Sequence, residues 1–321
     1  MNILVAGGGG FVGSHLVDAL LGEGHWVTVV DSFITGRHLN LRDASRCERF
    51  HLIEADVAVP GFALDDHAPY DRVYHLASPA SPKAFAEVPV EILMVNSVGT
   101  LNLLEIARRD GARFLLTSTS EVYGEPLVHP QTEDYRGNVS PNGPRSCYDE
   151  GKRFAESLTM TYHRQHGVDV RIARLFNTYG PRVAPEDGRI VPNFIGQALR
   201  GEPLTVYGDG LQTRSLCYVD DTVTGLIALM ESPRALGEVV NLGNPSEHTV
   251  LQIAELILAM TESALEIAYL PLPVDDPSKR KPEIAKARRL LSWRPVVSLP
   301  DGLRATYDTL DAEMTTFAYR P

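Results

Sequence analysis

Met1-Asn2-Ile3-Leu4-Val5-Ala6-Gly7-Gly8-Gly9-Gly10-Phe11-Val12-Gly13 is followed by Ser14-His15-Leu16-Val17-Asp18-Ala19-Leu20-Leu21, and the rest of the chain is organised around this stretch. Four apolar residues form a short strand, glycines stand at 7, 10 and 13, and apolar residues then recur at helical spacing. Glycine permits a tight turn and lets the backbone approach a pyrophosphate, while the helix N-terminus offers free N–H groups and a positive dipole. The next strand, Trp26-Val27-Thr28-Val29-Val30, ends in Asp31, eighteen residues beyond Gly13. An acid at that place hydrogen-bonds an adenosine ribose and repels a 2′-phosphate, which favours NAD over NADP. Strand, glycines, helix, strand and acid in this order form a strong dinucleotide signal. Gly7, Gly10, Phe11, Val12, Gly13 and Asp31 are its candidate contacts.

A second signal lies further on. Phe114-Leu115-Leu116 reads as a buried strand leading to Thr119, and Tyr148 and Lys152 are four residues apart, on one face of a helix. A hydroxyl at the carboxyl end of a strand stands where open α/β sheets bind ligands. An ammonium beside a phenol is expected to lower the phenol's pKa, so Tyr148 is the candidate acid–base for an alcohol near neutral pH.

Composition narrows the class. The 321 residues can bury a real core, and 44% hydrophobic and 22% charged residues are ordinary for a globular protein. A net charge of −11 argues against nucleic acid as a general partner. No run is read as apolar for long enough to span a bilayer, and no signal peptide or anchor is expected. Cys47, Cys147 and Cys217 are too few and scattered for a disulfide framework or zinc site. They are expected to be free thiols in a cytoplasmic protein. The ten histidines show no metal-ligand spacing, so no metal is expected.

Strand-like runs at 50–54, 72–76, 114–117 and 169–174 alternate with helical patterns near 87–109 and 148–166. This predicts an α/β fold, a Rossmann-type doubly wound parallel sheet with a smaller C-terminal α/β substrate-binding domain. We place the NAD-binding domain at 1–176, with return segments near 216–245, and the smaller domain, which the resemblance given below implies binds a nucleotide sugar, at 177–321. Asn241-Leu242-Gly243-Asn244 reads as a return strand and Val250 to Met260 as an amphipathic helix. Pro271 to Pro277 reads as a loop, next to the basic cluster Lys279-Arg280-Lys281.

These motifs identify a resemblance. The glycine turn, the Tyr148/Lys152 pair and Arg174-Leu175-Phe176-Asn177-Thr178-Tyr179-Gly180-Pro181-Arg182 resemble the extended short-chain dehydrogenase/reductase superfamily. His75-Leu76-Ala77-Ser78-Pro79-Ala80-Ser81-Pro82, Thr117 to Gly124, Gly143 to Arg153 and Asp275 to Pro282 are similar, within it, to the UDP-glucuronate decarboxylases. The resemblance runs along nearly the whole chain. It departs at Arg136, Ser140 and Asn142, where relatives tend to carry an aromatic residue, Asn and Ile.

The resemblance implies a lyase that uses NAD catalytically. UDP-glucuronate is oxidised at C4, loses its carboxylate as CO₂ and is reduced again to UDP-xylose. It implies that Thr119, Ser120, Glu121, Tyr148, Lys152 and Arg280 carry the chemistry, with Arg280 reaching the sugar carboxylate from a loop. Asp56, Val57, Leu76, Ala77 and Ser78 would join the cofactor wall. Asn177, Arg182, Arg189, Tyr207, Gln212, Arg214 and Arg280 would hold the substrate. His75 reads as a packed histidine rather than a base. Near an anionic substrate, Glu121 is expected to have a raised pKa. The family pairs the helices near 87–109 and 148–166 across a two-fold axis, which implies a homodimer. A UDP-uronate or UDP-pentose 4-epimerase would use the same oxidation. A non-catalytic nucleotide sensor would have no need of the Thr119, Tyr148 and Lys152 set.

Overall fold

The computed structural model describes residues 1–64, 68–184, 187–262, 264–271 and 279–318. The first half runs β1 (Asn2–Ala6), α1 (Phe11–Gly22), β2 (Trp26–Asp31), β3 (Phe50–Glu54), β4 (Arg72–His75), α2 (Pro82–Glu87), α3 (Pro89–Met94), α4 (Thr100–Asp110), β5 (Arg113–Thr119), α5 (Ser146–His166) and β6 (Val170–Leu175). The second half runs β7 (Thr178–Tyr179), α6 (Ile190–Leu199), β8 (Leu204–Tyr207), β9 (Thr213–Ser215), β10 (Cys217–Tyr218), α7 (Val219–Glu231), β11 (Val239–Leu242), β12 (Glu247–Thr249), α8 (Val250–Met260), β13 (Ile267–Leu270), β14 (Lys279–Arg280), α9 (Ala285–Leu291) and α10 (Leu299–Ala318).

Seven parallel strands form the central sheet in the order β3-β2-β1-β4-β5-β6-β11. Both faces are covered, which is why Phe114-Leu115-Leu116 is a continuous apolar run rather than an alternating one. The strand period of two divides β1 between the two cores. Ile3 and Val5 pack in the core that includes Leu16, Val17 and Leu20 of α1, while Leu4 and Ala6 pack in the one that includes Leu103, Leu104 and Ala107 of α4. The strand order reverses between β1 and β4, and ligand crevices of open α/β sheets form at such a point. There Gly7 (φ +84°) lies so close to β4's continuation that a Cβ would stand 2.5 Å from the Ala77 nitrogen. A Cβ on Gly13 would come within 2.1 Å of the Gly7 carbonyl oxygen, so the turn and α1 can close only with glycine at both places.

The return strand is β11, at 239–242 rather than 241–244, and it pairs in parallel with β6. Beyond the central sheet, β12, β9 and β14 form a three-stranded sheet and β8 pairs with β13. Lys279-Arg280 is therefore a strand beside β9, not part of a loop, and Arg280 is buried rather than solvated. Residues 272–278, which include most of the expected proline-rich loop, lie outside the described residues.

The helix expected near 87–109 is composite. α3 and α4 are joined by a π-helical turn at Val95–Gly99, giving one continuous helical stretch from Pro89 to Asp110. By length and composition this stretch is apolar enough to cross a membrane, contrary to the expectation from sequence, and 56% of its apolar window is buried within the fold.

Candidate active site

A cavity of about 870 Å³ opens at the carboxyl ends of the sheet strands, between the sheet and the elements that follow β6. Thr119, Ser120, Glu121, Tyr148, Lys152 and Arg280 all line it, as do Asn177, Arg182, Arg189, Tyr207, Gln212 and Arg214. Of the expected cofactor contacts, Gly7, Gly10, Phe11, Val12, Gly13, Leu76 and Ser78 line it. Asp31, Asp56, Val57 and Ala77 do not line it.

The residues present suit a dinucleotide. α1 starts at Gly10 with no side-chain cap on its first N–H groups, and that end of the helix faces the cavity. Asp31, 8% exposed, accepts hydrogen bonds from the Gly9 and Phe33 amides, each at 2.8 Å. It shapes the turn while remaining an acid at the end of β2. Burial pushes its carboxyl up, and those two amides oppose the shift. Asp56 accepts from the Ala58 amide at 2.8 Å, and Asn102 holds the Val57 carbonyl at 2.8 Å, so both ends of that turn serve its local structure. Thr35, Arg37 and Asn40 also line the cavity, and no sequence motif points to them. They lie in the irregular segment after Asp31, where periodicity gives no signal.

At the centre the Tyr148 and Thr119 hydroxyls share a hydrogen bond. The Tyr148 ring stacks on Phe85 with centroids 4.9 Å apart. Lys152 Nζ donates to the Thr117 carbonyl at 2.9 Å and lies 5.9 Å from the Tyr148 ring centroid. The protein's own atoms therefore reverse the expected phenol shift. Burial pushes Tyr148 up to about 12, with the Thr119 hydrogen bond opposing it. Burial likewise brings Lys152 down to about 7. His75 is fully buried, bonded through Nε2 to the Thr100 hydroxyl at 3.0 Å and held neutral by burial, as a packed histidine should be.

Glu121 corrects a second expectation. Burial alone would raise its pKa, but the Arg280 and Arg145 guanidiniums outweigh burial and hold it at about 2. Arg145 Nη2 lies 2.6 Å and Arg280 Nη2 3.1 Å from the same carboxylate oxygen, Oε2. Arg280 also donates to the Gly124 carbonyl. Arg145 is a cavity-lining residue that sequence reasoning does not single out, although it lies three positions before Tyr148 in one of the motifs that carry the family resemblance. Asp149, next to Tyr148, is another. Burial, with repulsion from Glu121, raises it to about 7, and its buried Oδ1 has no hydrogen-bond partner. The depressed Glu121 pKa fixes a sign. Its contribution to stability is full above the unfolded value of 4.5 and is lost as pH falls towards 2. The stability gap between the wild type and Glu121→Gln should therefore shrink across that window in acid-unfolding curves.

The expected substrate arginines are braced by acids. Arg182 reaches Asp18 at 2.6 Å, and Arg189 holds Asp187 through two nitrogens while lying 5.9 Å from the Phe11 ring. Gln212 donates to the Tyr207 carbonyl at 2.8 Å, and Arg214 donates to the Thr213 carbonyl at 2.9 Å from β9. Asn177 accepts at its carbonyl from the Cys217 amide.

A nucleotide turn, a hydroxyl–phenol–lysine set and a cation-rich sugar end in one cavity define a nucleotide-sugar enzyme of the short-chain dehydrogenase type. The chain belongs to the NAD dependent epimerase/dehydratase family, whose sequence profile matches residues 3–243. More particularly, it is 53% identical to UDP-glucuronic acid decarboxylase 1 of Danio rerio over 98% of this chain and 73% of that protein. It is 55% identical to UDP-glucuronic acid decarboxylase 1 of Arabidopsis thaliana over 94% of this chain and 68% of that protein. Among solved structures, UDP-glucuronic acid 4-epimerase from Bacillus cereus, in complex with UDP-glucuronic acid and NAD, superposes with a TM-score of 0.88. It is 33% identical, covering 98% of this chain and all of that one. UDP-glucose 4-epimerase of Thermotoga maritima, with UDP-glucose, also gives 0.88 at 32% identity, over 98% of this chain and 100% of that one.

Proposed function

We propose that this protein converts UDP-glucuronate to UDP-xylose and CO₂ through a 4-keto sugar. The observation that carries the reading is the placement, in one cavity, of the Thr119–Tyr148 hydroxyl pair beside Glu121 and two guanidiniums. The Gly7–Gly13 turn and the N-terminus of α1 would hold NAD, which would supply the hydride acceptor for the sugar C4 and, later in the same turnover, the hydride donor. Tyr148, as the phenolate that a bound cationic nicotinamide would favour, takes the O4 proton and Thr119 holds O4. A 4-keto uronate is a β-keto acid, so the electrons of its C5–C6 bond flow to O4 as CO₂ departs. Thr119 and Tyr148 are placed to stabilise that developing oxyanion. Ser120 and Glu121, next in sequence to Thr119, face the C5 and C6 end, where the C5 proton must be replaced. Incubation with UDP-glucuronate and no added NAD, followed by mass analysis of the nucleotide sugar, tests this. UDP-xylose and CO₂ are expected. A UDP-uronate of unchanged mass and inverted C4 would mean epimerisation instead. Asp31 supports a strong preference for NAD, and tighter binding of NADP would remove its role at the ribose.

We also propose a homodimer, built on α3, α4 and α5. Val90 and Leu93 on α3, Leu101 on α4 and Phe154 on α5 are exposed although large and apolar, with Val90 64% and Phe154 52% exposed. α3 and α5 pack on one another, so these side chains belong to neighbouring helices that a second copy would cover isologously. Light scattering at micromolar concentration should give twice the chain mass, and Phe154→Glu should shift it towards the monomer.

A further inference from the structure

The segment that follows β2 carries two signals of opposite meaning for a dinucleotide. An acid at the end of that strand favours NAD, whereas an arginine close to it accommodates the 2′-phosphate of NADP. Asp31 is the acid, and Arg37, six positions on, is the arginine. Arg37 lines the cavity together with Thr35 and Asn40. Its backbone rests on the glycine turn: the Arg37 amide donates to the Gly9 carbonyl at 3.0 Å, and Asn40 Nδ2 donates to the same carbonyl at 3.0 Å. The chain also passes close to the acid, since a Cβ on Gly36 would stand 2.9 Å from Asp31 Oδ1. Phe33 stacks on His38 with ring centroids 3.7 Å apart, which ties the two ends of the segment together. Arg37 is therefore held near Asp31 at the glycine-turn end of the cavity.

What separates the two signals comes from the far end of the chain. Glu313 on α10 lies 276 positions from Arg37, yet its Oε2 accepts from Arg37 Nη2 at 2.8 Å. The two side chains are mostly buried, 24% and 18% exposed, so the pair is screened less than one in open water. A guanidinium grips a phosphate by turning its planar fork and its whole charge towards it. In this structure one arm of the fork is already on a carboxylate. The charge balance points the same way. Asp31 and Glu313 are two carboxylates against one guanidinium, and His38 and Glu54, which also act on Asp31, are 3.7 Å from one another. Such a balance suits an uncharged ribose hydroxyl and opposes a phosphate dianion.

We propose that Glu313 is a positioning residue for cofactor selection: it holds Arg37 in an ion pair and so withholds it from a 2′-phosphate. Selection of NAD is then a joint property of Asp31 and the C-terminal helix. This rests on the reading that the glycine turn holds a dinucleotide.

The test is a competition read without turnover. The full chain is equilibrated with NAD and an excess of NADP chosen so that both are detected on the wild type, and native mass spectrometry reads the bound nucleotides. One charge-assisted hydrogen bond corresponds to about 10–100-fold in affinity. Glu313→Gln should raise the bound NADP-to-NAD ratio by that factor. Adding Arg37→Ala to Glu313→Gln should return the ratio to within about 2-fold of the wild type, because the gain acts through the arginine. An unchanged ratio in Glu313→Gln overturns the proposal, and so does a raised ratio that survives Arg37→Ala. A pair that served only to strap α10 down would lose melting temperature in Glu313→Gln and leave the ratio where it was. Should Glu313→Gln not fold, Glu313→Asp, which shortens the acid by one methylene and opens the contact, decides by the same ratio. Failure of the underlying reading shows separately, as a wild-type chain that binds neither nucleotide.

Discussion

Tyr148→Phe is expected to lower turnover by about 10²–10⁴-fold, the usual scale for removing a positioned acid–base group. The substitution leaves the ring in place, stacked on Phe85 and beside Lys152, and removes only the hydroxyl that bonds Thr119. Its stability cost should be small, on the order of 0.5–1.5 kcal/mol for one hydrogen bond. Circular dichroism and the melting temperature should therefore change little while CO₂ release nearly stops. A variant that retained most of its activity would remove the phenol from the proton path. Because burial holds this phenol at about 12, the pH dependence of the wild type should not show Tyr148 ionising near neutrality before ligands are bound.

Arg280→Ala is expected to damage both stability and the later half of the reaction. Breaking a buried ion pair by removing one partner costs about 3–5 kcal/mol, because a charge is left uncompensated. Here Arg145 still reaches Glu121, so the loss should fall at the lower end of that range. The Thr119, Tyr148 and Lys152 arrangement stands on β5 and α5, whereas Arg280 comes from β14. Oxidation at C4 should therefore survive better than decarboxylation and C5 protonation. The expected signature is reduced nicotinamide absorbance that builds up on the enzyme in the presence of UDP-glucuronate. Normal turnover with no such build-up would mean that Arg280 acts only as a structural counter-ion.

Much of the site is legible in the sequence because its parts are local. The glycine turn, the four-residue Tyr148–Lys152 spacing and the apolar run ending at Thr119 each occupy one element and its boundary. Every expected catalytic and substrate residue lines the cavity. The two pKa expectations that the fold reverses share a cause. Burial next to an anion is all that the sequence offers for Glu121, and it points upward, yet the pKa depends on Arg280, 159 positions away. Helical spacing puts Lys152 on the face of Tyr148, but spacing does not say whether the ammonium meets the hydroxyl or the ring.

By itself, then, the sequence determined the parallel α/β sheet, the nucleotide turn and a set of polar residues that meet in one cavity, since these follow from periodicity, backbone conformation and short-range spacing. Only the tertiary structure decided the electrostatics. It brought β14 against β9, so that Arg280 and Arg145 both reach the Glu121 carboxylate. A pKa is a sum over charges and burial in space, and those neighbours are assembled from segments that are remote along the chain.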